Sequence, residues 1–192
     1  MAEKIHSITD IVDHLESYKK IRQTILDGNV LLKIQIKPPN LSEEVTESLL
    51  CRMINGGYFL NDKYGDNAIA ERHGKKGADV IVNGKYKLEC KGTSSKEGTI
   101  TVSKTNILDR EQWVWMDFSS YVRHNSSIVN IHVINNPSKC IHPSKIEANG
   151  ESKLKLSKAI KQAKETNNYE FHEFSLNTME MKVNHSTFNH KS

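Results

Sequence analysis

The fold is decided by residues 77–92, which read Gly77-Ala78-Asp79-Val80-Ile81-Val82-Asn83-Gly84-Lys85-Tyr86-Lys87-Leu88-Glu89-Cys90-Lys91-Gly92. An Asn-Gly pair between two short runs that contain apolar residues is a strong local signal of a β-hairpin, because both residues accept a positive φ. The stretch therefore predicts a hairpin over about 79–91 that turns at Asn83-Gly84.

The alternation of polar and apolar residues indicates how the two strands pair. A two-residue loop would place the two carboxylates of the hairpin on opposite faces. A three-residue loop over 82–84, with a bulge at its last residue, pairs Ile81 with Lys85 and Asp79 with Lys87. One face then carries Asp79, Lys85, Lys87, Glu89, Lys91 and the single apolar Ile81, and the other carries Val80, Tyr86, Leu88 and Cys90. Because register follows such segregation, we predict the bulged hairpin.

Asp79 and Glu89 would lie close together on the polar face, with Lys91 two residues beyond Glu89 on the same face. Two converging carboxylates repel each other unless a hard cation lies between them. Mg²⁺ accepts such a site, because it takes few carboxylates and completes its coordination with water and phosphate oxygens. A lysine beside the metal can stabilise charge on the phosphate or help to deprotonate a water. These residues predict metal-assisted hydrolysis of a phosphodiester.

A structural interpretation of the same residues is an ordinary hairpin whose outer face carries a Glu–Lys pair. The Glu-x-Lys pattern alone is weak, since it also occurs at Glu151/Lys153 and Glu180/Lys182. Only Glu89/Lys91 lies on a predicted strand that follows an aspartate one strand earlier. That context favours the chemical interpretation without excluding the structural one.

Hydrophobic periodicity predicts the elements around the hairpin. The predicted helices are 8–26, 41–55 and 151–166, and the further predicted strands are 30–37, 99–103, 112–118 and 127–135. Trp113-Val114-Trp115-Met116 is apolar on both faces, which predicts a strand inside the sheet. The polar tail after about 183 is expected to be loose.

Composition restricts the class of protein. The chain has 192 residues, of which 36% are hydrophobic and 26% charged, which suits a single α/β domain over 1–192. No apolar run approaches the ~20 residues of a membrane helix, and the start lacks the apolar core of a signal peptide. Three widely spaced cysteines (Cys51, Cys90 and Cys140) argue against a disulfide framework and a structural zinc site. We expect a cytoplasmic protein.

Charge indicates the kind of partner. The net charge is +4, and residues 71–104 hold eight Lys or Arg against four Asp or Glu. Residues 151–167 hold five Lys against two Glu. Two basic stretches favour a polyanionic partner, although two solvated faces would have the same composition.

An aspartate and a Glu-x-Lys on a hairpin, preceded by a helix that carries glutamates, resemble the PD-(D/E)XK nuclease superfamily over about residues 41–135. Ala78 stands where the motif has proline. The resemblance implies a restriction-endonuclease-like core, a central mixed β-sheet flanked by α-helices, with Asp79, Glu89 and the carbonyl of Cys90 as Mg²⁺ ligands and Lys91 as the catalytic lysine. Mn²⁺ is expected to substitute for Mg²⁺.

The helix over 41–55 offers a further carboxylate to that metal site. Glu44 is expected to face water, whereas Glu43 and Glu47 lie four residues apart on one face. Glu47 borders the apolar side of the helix and has no capping role, so we prefer Glu47 and keep Glu43 as the alternative. Lys75, Lys76 and Lys96 flank the expected site and are candidates to bind the DNA backbone, or else solvated loop lysines.

The chain has little beyond the expected nuclease core, and in this it resembles the smaller, catalytic subunit of heterodimeric Type IIS restriction endonucleases. That resemblance implies double-stranded DNA as substrate and a larger partner subunit that recognises the DNA and nicks one strand. The alternatives are a homodimeric restriction enzyme that needs no partner, a repair or junction nuclease, and a module that only binds nucleic acid or another protein.

Overall fold

The computed structural model describes residues 6–59, 61–70, 78–95, 98–103, 107–124, 126–142 and 151–184. Its helices are α1 (Ile8–Leu32), α2 (Glu43–Asn55), α3 (Asn61–Tyr64), α4 (Ser119–His124), α5 (Pro137–Cys140) and α6 (Leu156–Glu165). Its strands are β1 (Ala68–Ala70), β2 (Val80–Val82), β3 (Tyr86–Thr93), β4 (Thr99–Ser103), β5 (Gln112–Asp117), β6 (Ile128–Asn135), β7 (Glu151–Lys155), β8 (Tyr169–Ser175) and β9 (Glu180–Asn184). Helices and strands are mixed along the chain, which confirms the α/β class.

Seven strands form one mixed sheet in the order β1-β2-β3-β5-β6-β8-β9. Strands β3 and β5 run parallel, and the other neighbouring pairs of this sheet are antiparallel. Strands β4 and β7 pair with each other in a separate antiparallel ribbon. This architecture establishes a mixed sheet with helices around it, and the restriction-endonuclease-like arrangement stays a prediction.

Strand β5 lies between β3 and β6 in the large sheet. Residues 112–116 are all buried, because the strand is covered on both faces and has a neighbour on each side. The prediction that Trp113-Val114-Trp115-Met116 forms an interior strand is therefore confirmed. This strand places Trp115 beside Lys91 of the hairpin.

The hairpin of β2 and β3 turns where predicted, with a different extra residue. Asn83 (φ 51°) and Gly84 (φ 65°) form the turn, and the N–H of Lys85 donates to the carbonyl of Val82 over 3.1 Å. Positive φ at both central residues is the geometry of a type I′ turn, which closes at Lys85. Val82 then pairs with Tyr86, so the extra residue is Lys85 and not Gly84.

The predicted register is wrong by two residues, while the predicted faces are correct. Ile81 pairs with Lys87, and not with Lys85 as predicted, which also excludes the predicted pair of Asp79 with Lys87. A shift by an even number of residues keeps every side chain on its own face. The apolar face is buried at Val80, Val82, Leu88 and Cys90.

Helix α1 begins as predicted and ends later. Ser7 caps it, since its side chain accepts from the N–H of Asp10 and the Asp10 carboxylate accepts from the N–H of Ser7. The helix runs through Gly28 to Leu32, so the strand predicted over 30–37 is wrong. The first three turns bury their apolar side chains, whereas the last turns do not.

The residues after α1 fold back on its last turn through Asn29. The Asn29 side chain donates to the carbonyl of Ile36 (2.7 Å) and accepts from the N–H of Ile36 (2.9 Å). The Asn29 carbonyl accepts from the N–H of Ile34. These bonds satisfy backbone groups of Ile34 and Ile36 that a neighbouring strand would otherwise satisfy. The alternating residues 33–37 therefore form no strand. The exposed large apolar side chains of α1 and of the segment after it are Ile21, Leu26, Val30, Leu31, Leu32, Ile34 and Ile36, and together they are called the apolar ridge below.

The carboxyl-terminal part differs most from the prediction. The helix predicted over 151–166 is divided into strand β7 over 151–155 and helix α6 over 156–165. Ser152 and Leu154 are buried in alternation, because β7 pairs with β4. Strands β8 and β9 were not predicted, and residues 185–192 of the tail lie outside the described residues.

The two faces of the large sheet bury separate apolar clusters. Helices α1 and α2 cover the face that carries Leu88 and Val114. Helix α6 and the β4–β7 ribbon cover the face that carries Trp113. The polar face of the hairpin belongs to this second side, since Lys91 is in register with Trp115. Across the part of the chain that the structure describes, helices long and apolar enough for a membrane span are absent.

Candidate functional site

The structure brings Asp79, Glu89 and Lys91 into direct contact. The Lys91 ammonium lies 3.0 Å from Asp79 Oδ2 and 3.0 Å from Glu89 Oε1. One cation therefore bridges a carboxylate of β3 and a carboxylate of the residue immediately before β2. The three side chains share a face because Glu89 and Lys91 are two residues apart on β3 and the register places Asp79 opposite Glu89.

The backbone of β3 fixes the position of Asp79. The N–H of Cys90 donates to Asp79 Oδ2 over 2.8 Å, the same oxygen that accepts from Lys91. A carboxylate held by a backbone N–H and an ammonium has little freedom to rotate. The Cys90 thiol lies on the opposite, buried face, where burial raises its pKa well above the ordinary value, so this thiol is a core group.

A buried arginine that the sequence analysis did not assign to this site holds Glu89 from the other side. Arg110, which is 6% exposed, lies with its Nε 3.2 Å from Glu89 Oε2. Its Nη1 also contacts the carboxylate of Asp109 (3.3 Å), which in turn lies 2.8 Å from Lys87 Nζ. Opposite charges thus alternate from Asp79 through Lys91, Glu89, Arg110 and Asp109 to Lys87. No periodicity distinguishes Arg110 from a surface arginine, because the partner of Glu89 is set by the pairing of β3 with β5.

Electrostatics in this cluster determine which groups hold protons. Burial and the neighbouring Asp79 carboxylate raise the pKa of Glu89 above its usual range, against the pull of Lys91 and Arg110. Burial tends to lower the pKa of Lys91, but Asp79 and Glu89 outweigh it, and the net shift is upward. Lys91 is therefore a protonated cation in this arrangement, suited to stabilise negative charge rather than to take a proton.

A cleft of about 680 Å³ opens beside the cluster. Its walls come from α1, the segment 37–41, the start of α2, the end of β3, strand β4 and Trp115 of β5. The charged side chains that line it are Arg22, Lys37, Glu43, Glu89 and Lys91, and the hydroxyl side chains are Thr46, Thr93, Ser94, Ser95, Thr99 and Thr101. Cations and hydroxyls of this kind are the usual partners of phosphate oxygens.

Helix α2 places its candidate carboxylates differently. Glu47 is 2% exposed, and its charge contributes to the raised pKa of the Cys90 and Cys51 thiols. Glu43 is exposed and lines the cleft. Glu44 is exposed, as predicted. The preference for Glu47 over Glu43 as a metal ligand stays a prediction.

The donor set fits the metal that the sequence implies. In the described ranges, no group of three or more His, Cys, Asp and Glu side chains is arranged to hold a metal ion. Two carboxylates do converge on one cation, and Mg²⁺ needs few protein carboxylates. An ion held by Asp79 and Glu89 would compete with Lys91 for them. The DNA-contact candidates Lys75, Lys76 and Lys96 lie outside the described residues.

Comparisons with known proteins add no relative to this description. No family model matches the chain, and neither the curated proteins nor the solved structures include a significant match.

Proposed function

We propose that the protein is a Mg²⁺-dependent endonuclease that hydrolyses phosphodiester bonds in double-stranded DNA. The observation that supports this most directly is the convergence of Asp79, Glu89 and Lys91 beside a cleft lined with cations and hydroxyls. Asp79 and Glu89, with the carbonyl of Cys90, would hold the metal. When bound, Mg²⁺ would act as a Lewis acid on the phosphate and would lower the pKa of a bound water.

The role of Lys91 follows from its charge. The ammonium, which lies 3.0 Å from Asp79 Oδ2 and 3.0 Å from Glu89 Oε1, would place a positive charge next to the phosphate under attack. Preorganised charge of this kind stabilises a transition state without reorganisation.

We further propose that the chain works as the smaller subunit of a two-chain restriction endonuclease, with a larger subunit that recognises DNA and nicks the other strand. One such site cuts one strand. The apolar ridge supports a partner, since Val30 and Leu31 are 82% and 81% exposed, and ordered apolar side chains in water mark interaction surfaces. Lys20, Lys33 and Lys37 lie among or beside the ridge residues with a single acid, Asp27. An acidic rim on the larger subunit would complement this charge, whereas a second copy would repeat it.

The test is cleavage of supercoiled plasmid with Mg²⁺, by the protein alone and together with a nicking partner subunit. Glu89→Gln should abolish strand cleavage while leaving DNA binding in place. Glu180→Gln is the matched control, because Glu180 and Lys182 repeat the Glu-x-Lys pattern on β9, where both side chains are exposed.

Double-strand cleavage that appears only with the partner and is lost in Glu89→Gln would support the subunit assignment. Sequence-specific linear products from the protein alone would overturn that assignment in favour of a homodimeric enzyme. The nuclease proposal would be refuted by a folded protein that binds DNA equally well with and without Mg²⁺ and that never cleaves DNA, even when both Mg²⁺ and the partner subunit are present.

A further inference from the structure

Two residues that line the cleft each carry an N–H donor that has no acceptor within the described part of the chain. Trp115 is 1% exposed, and its indole Nε1 is buried without a hydrogen-bond partner there. The Nε of Arg22 is also buried without a hydrogen-bond partner in the described residues. Both residues line the cleft. Buried donors are normally satisfied, so two such donors on one cleft indicate that an acceptor enters it.

Both donors lie close to the candidate site for definite structural reasons. Trp115 is the register partner of Lys91 on the adjacent parallel strand, so the two side chains stand on the same face about one strand spacing, ~4.8 Å, apart at the backbone. Arg22 follows Tyr18 by one turn of α1. The hydroxyl of Tyr18 donates to the carbonyl of Pro39 (3.1 Å) and bonds Ser94 Oγ (2.7 Å). These bonds fix α1 against the end of β3.

The chemistry of the donors selects the ligand. An indole N–H and a guanidinium both donate and neither accepts, so the ligand must present acceptor atoms. Arg22 and the neighbouring Lys37 add positive charge, which selects an anion. Of the two acids on the cleft, Glu89 is held by Lys91 and Arg110, and Glu43 is exposed at the start of α2. A phosphate group has the charge and the several acceptor oxygens that this wall can satisfy.

We infer that Arg22, Lys37 and Trp115 form a phosphate-binding subsite next to Lys91, which holds a backbone phosphate of DNA adjacent to the one that faces Lys91. The identity of the ligand as DNA rests on the proposed function, while the presence of a phosphate subsite does not. These residues position the strand and take no part in bond cleavage.

The test is DNA binding in EDTA, where cleavage cannot interfere, measured by fluorescence anisotropy of a labelled duplex across a range of salt concentrations. Arg22→Gln should weaken binding by about tenfold, as expected for loss of a charged hydrogen bond, and should reduce the slope of log affinity against log salt by about 0.9. Trp115→Phe removes the N–H without changing charge. It should weaken binding about threefold to tenfold and leave the salt slope unchanged.

Matched controls are available on the same chain. Arg123→Gln removes an exposed arginine on α4, and Trp113→Phe alters a buried tryptophan of the same strand on the same sheet face. Neither residue lines the cleft, so neither substitution should change the affinity by more than about twofold. If Arg22→Gln and Trp115→Phe bind DNA as the wild type does, or if Trp115→Phe changes the salt slope, the subsite is refuted.

Inorganic phosphate tests whether the subsite binds free phosphate instead of a phosphate of the DNA backbone. It should displace the duplex no better than chloride of equal ionic strength. Displacement at low phosphate concentration that is lost in Arg22→Gln would instead show a site for free phosphate and overturn the assignment to DNA. Variant effects on binding in a protein that never cleaves DNA, even with Mg²⁺ and the partner subunit present, would keep the subsite and refute the nuclease. Cleavage by the wild type, together with unaffected DNA binding in both variants, would keep the nuclease and refute the subsite.

Discussion

The ammonium of Lys91 performs the role of an internal counterion, and its removal should therefore make the folded protein depend on metal. In Lys91→Met the carboxylates of Asp79 and Glu89 lose the cation that lies 3.0 Å from each of them. The methionine keeps the unbranched side chain and removes the charge. We expect lower stability in metal-free buffer and a recovery of stability when Mg²⁺ is added.

The magnitude follows from the contacts. Each contact at 3.0 Å corresponds to about 5.5 kcal/mol of Coulomb energy at an effective dielectric of about 20, and the desolvation of the charges offsets most of it. Removal of one partner from a buried ionic cluster typically costs about 3–5 kcal/mol. Since the side chains of Asp79 and Lys91 are partly exposed, we expect about 3 kcal/mol, the lower end of that range. An ion at ten times its Kd would restore about 1.4 kcal/mol.

The assay is urea denaturation of wild type and Lys91→Met, each in EDTA and in Mg²⁺. Lys182→Met is the matched control, because it removes an exposed lysine two residues after a glutamate on β9, and its stability should change by less than about 0.5 kcal/mol. The reasoning would be refuted if Lys91→Met were as stable as wild type in EDTA. It would also be refuted if Mg²⁺ stabilised Lys91→Met no more than it stabilises the control.

Three further predictions concern the surroundings of the site. Arg110→Met should lower the free energy of unfolding by about 3–5 kcal/mol, because it leaves Glu89 buried without its arginine, and adding Glu89→Gln should recover part of the loss in the same urea assay. Burial lowers the pKa of His132 to about 4, so the unfolded chain takes up this proton first as the pH falls below about 6.5. From about pH 7 to pH 4, wild type should lose about 3 kcal/mol more stability than His132→Gln, and equal losses would contradict this. Gly92→Ala would put a Cβ 2.4 Å from Thr46 Cγ2, so it should destabilise by about 1–3 kcal/mol, and Thr46→Ser, which removes that methyl group, should relieve the effect in thermal unfolding.

The hairpin and the interior strand could be predicted because the local pattern of polar and apolar residues shows which of their faces are buried. Alternation shows which side chains share a face, and the face survived an error of two residues in the register. Trp113-Val114-Trp115-Met116 has apolar residues on both sides, which only an interior strand requires. Asp79, Glu89 and Lys91 could be placed together for the same local reason.

The rest of the fold depends on partners that are distant in the sequence. The alternation of residues 30–37 is that of a strand, but Asn29 supplies the bonds that a neighbouring strand would make. Residues 151–155 continue the helical pattern of 156–165, and become a strand because β4 lies alongside. Arg110 and Trp115 reach the site only through the parallel pairing of β3 with β5, and no local pattern records that pairing.

The parallel pairing of β3 and β5 also sets the order in which the site is completed during synthesis. The chain emerges from its amino terminus, so Asp79, Glu89 and Lys91 leave the ribosome before Arg110 and Trp115. The β4–β7 ribbon cannot close over the cleft until residue 155 has emerged. A nascent chain therefore carries its charged hairpin before Arg110 and Trp115 can reach it, and the cleft is completed only after residue 155 has emerged.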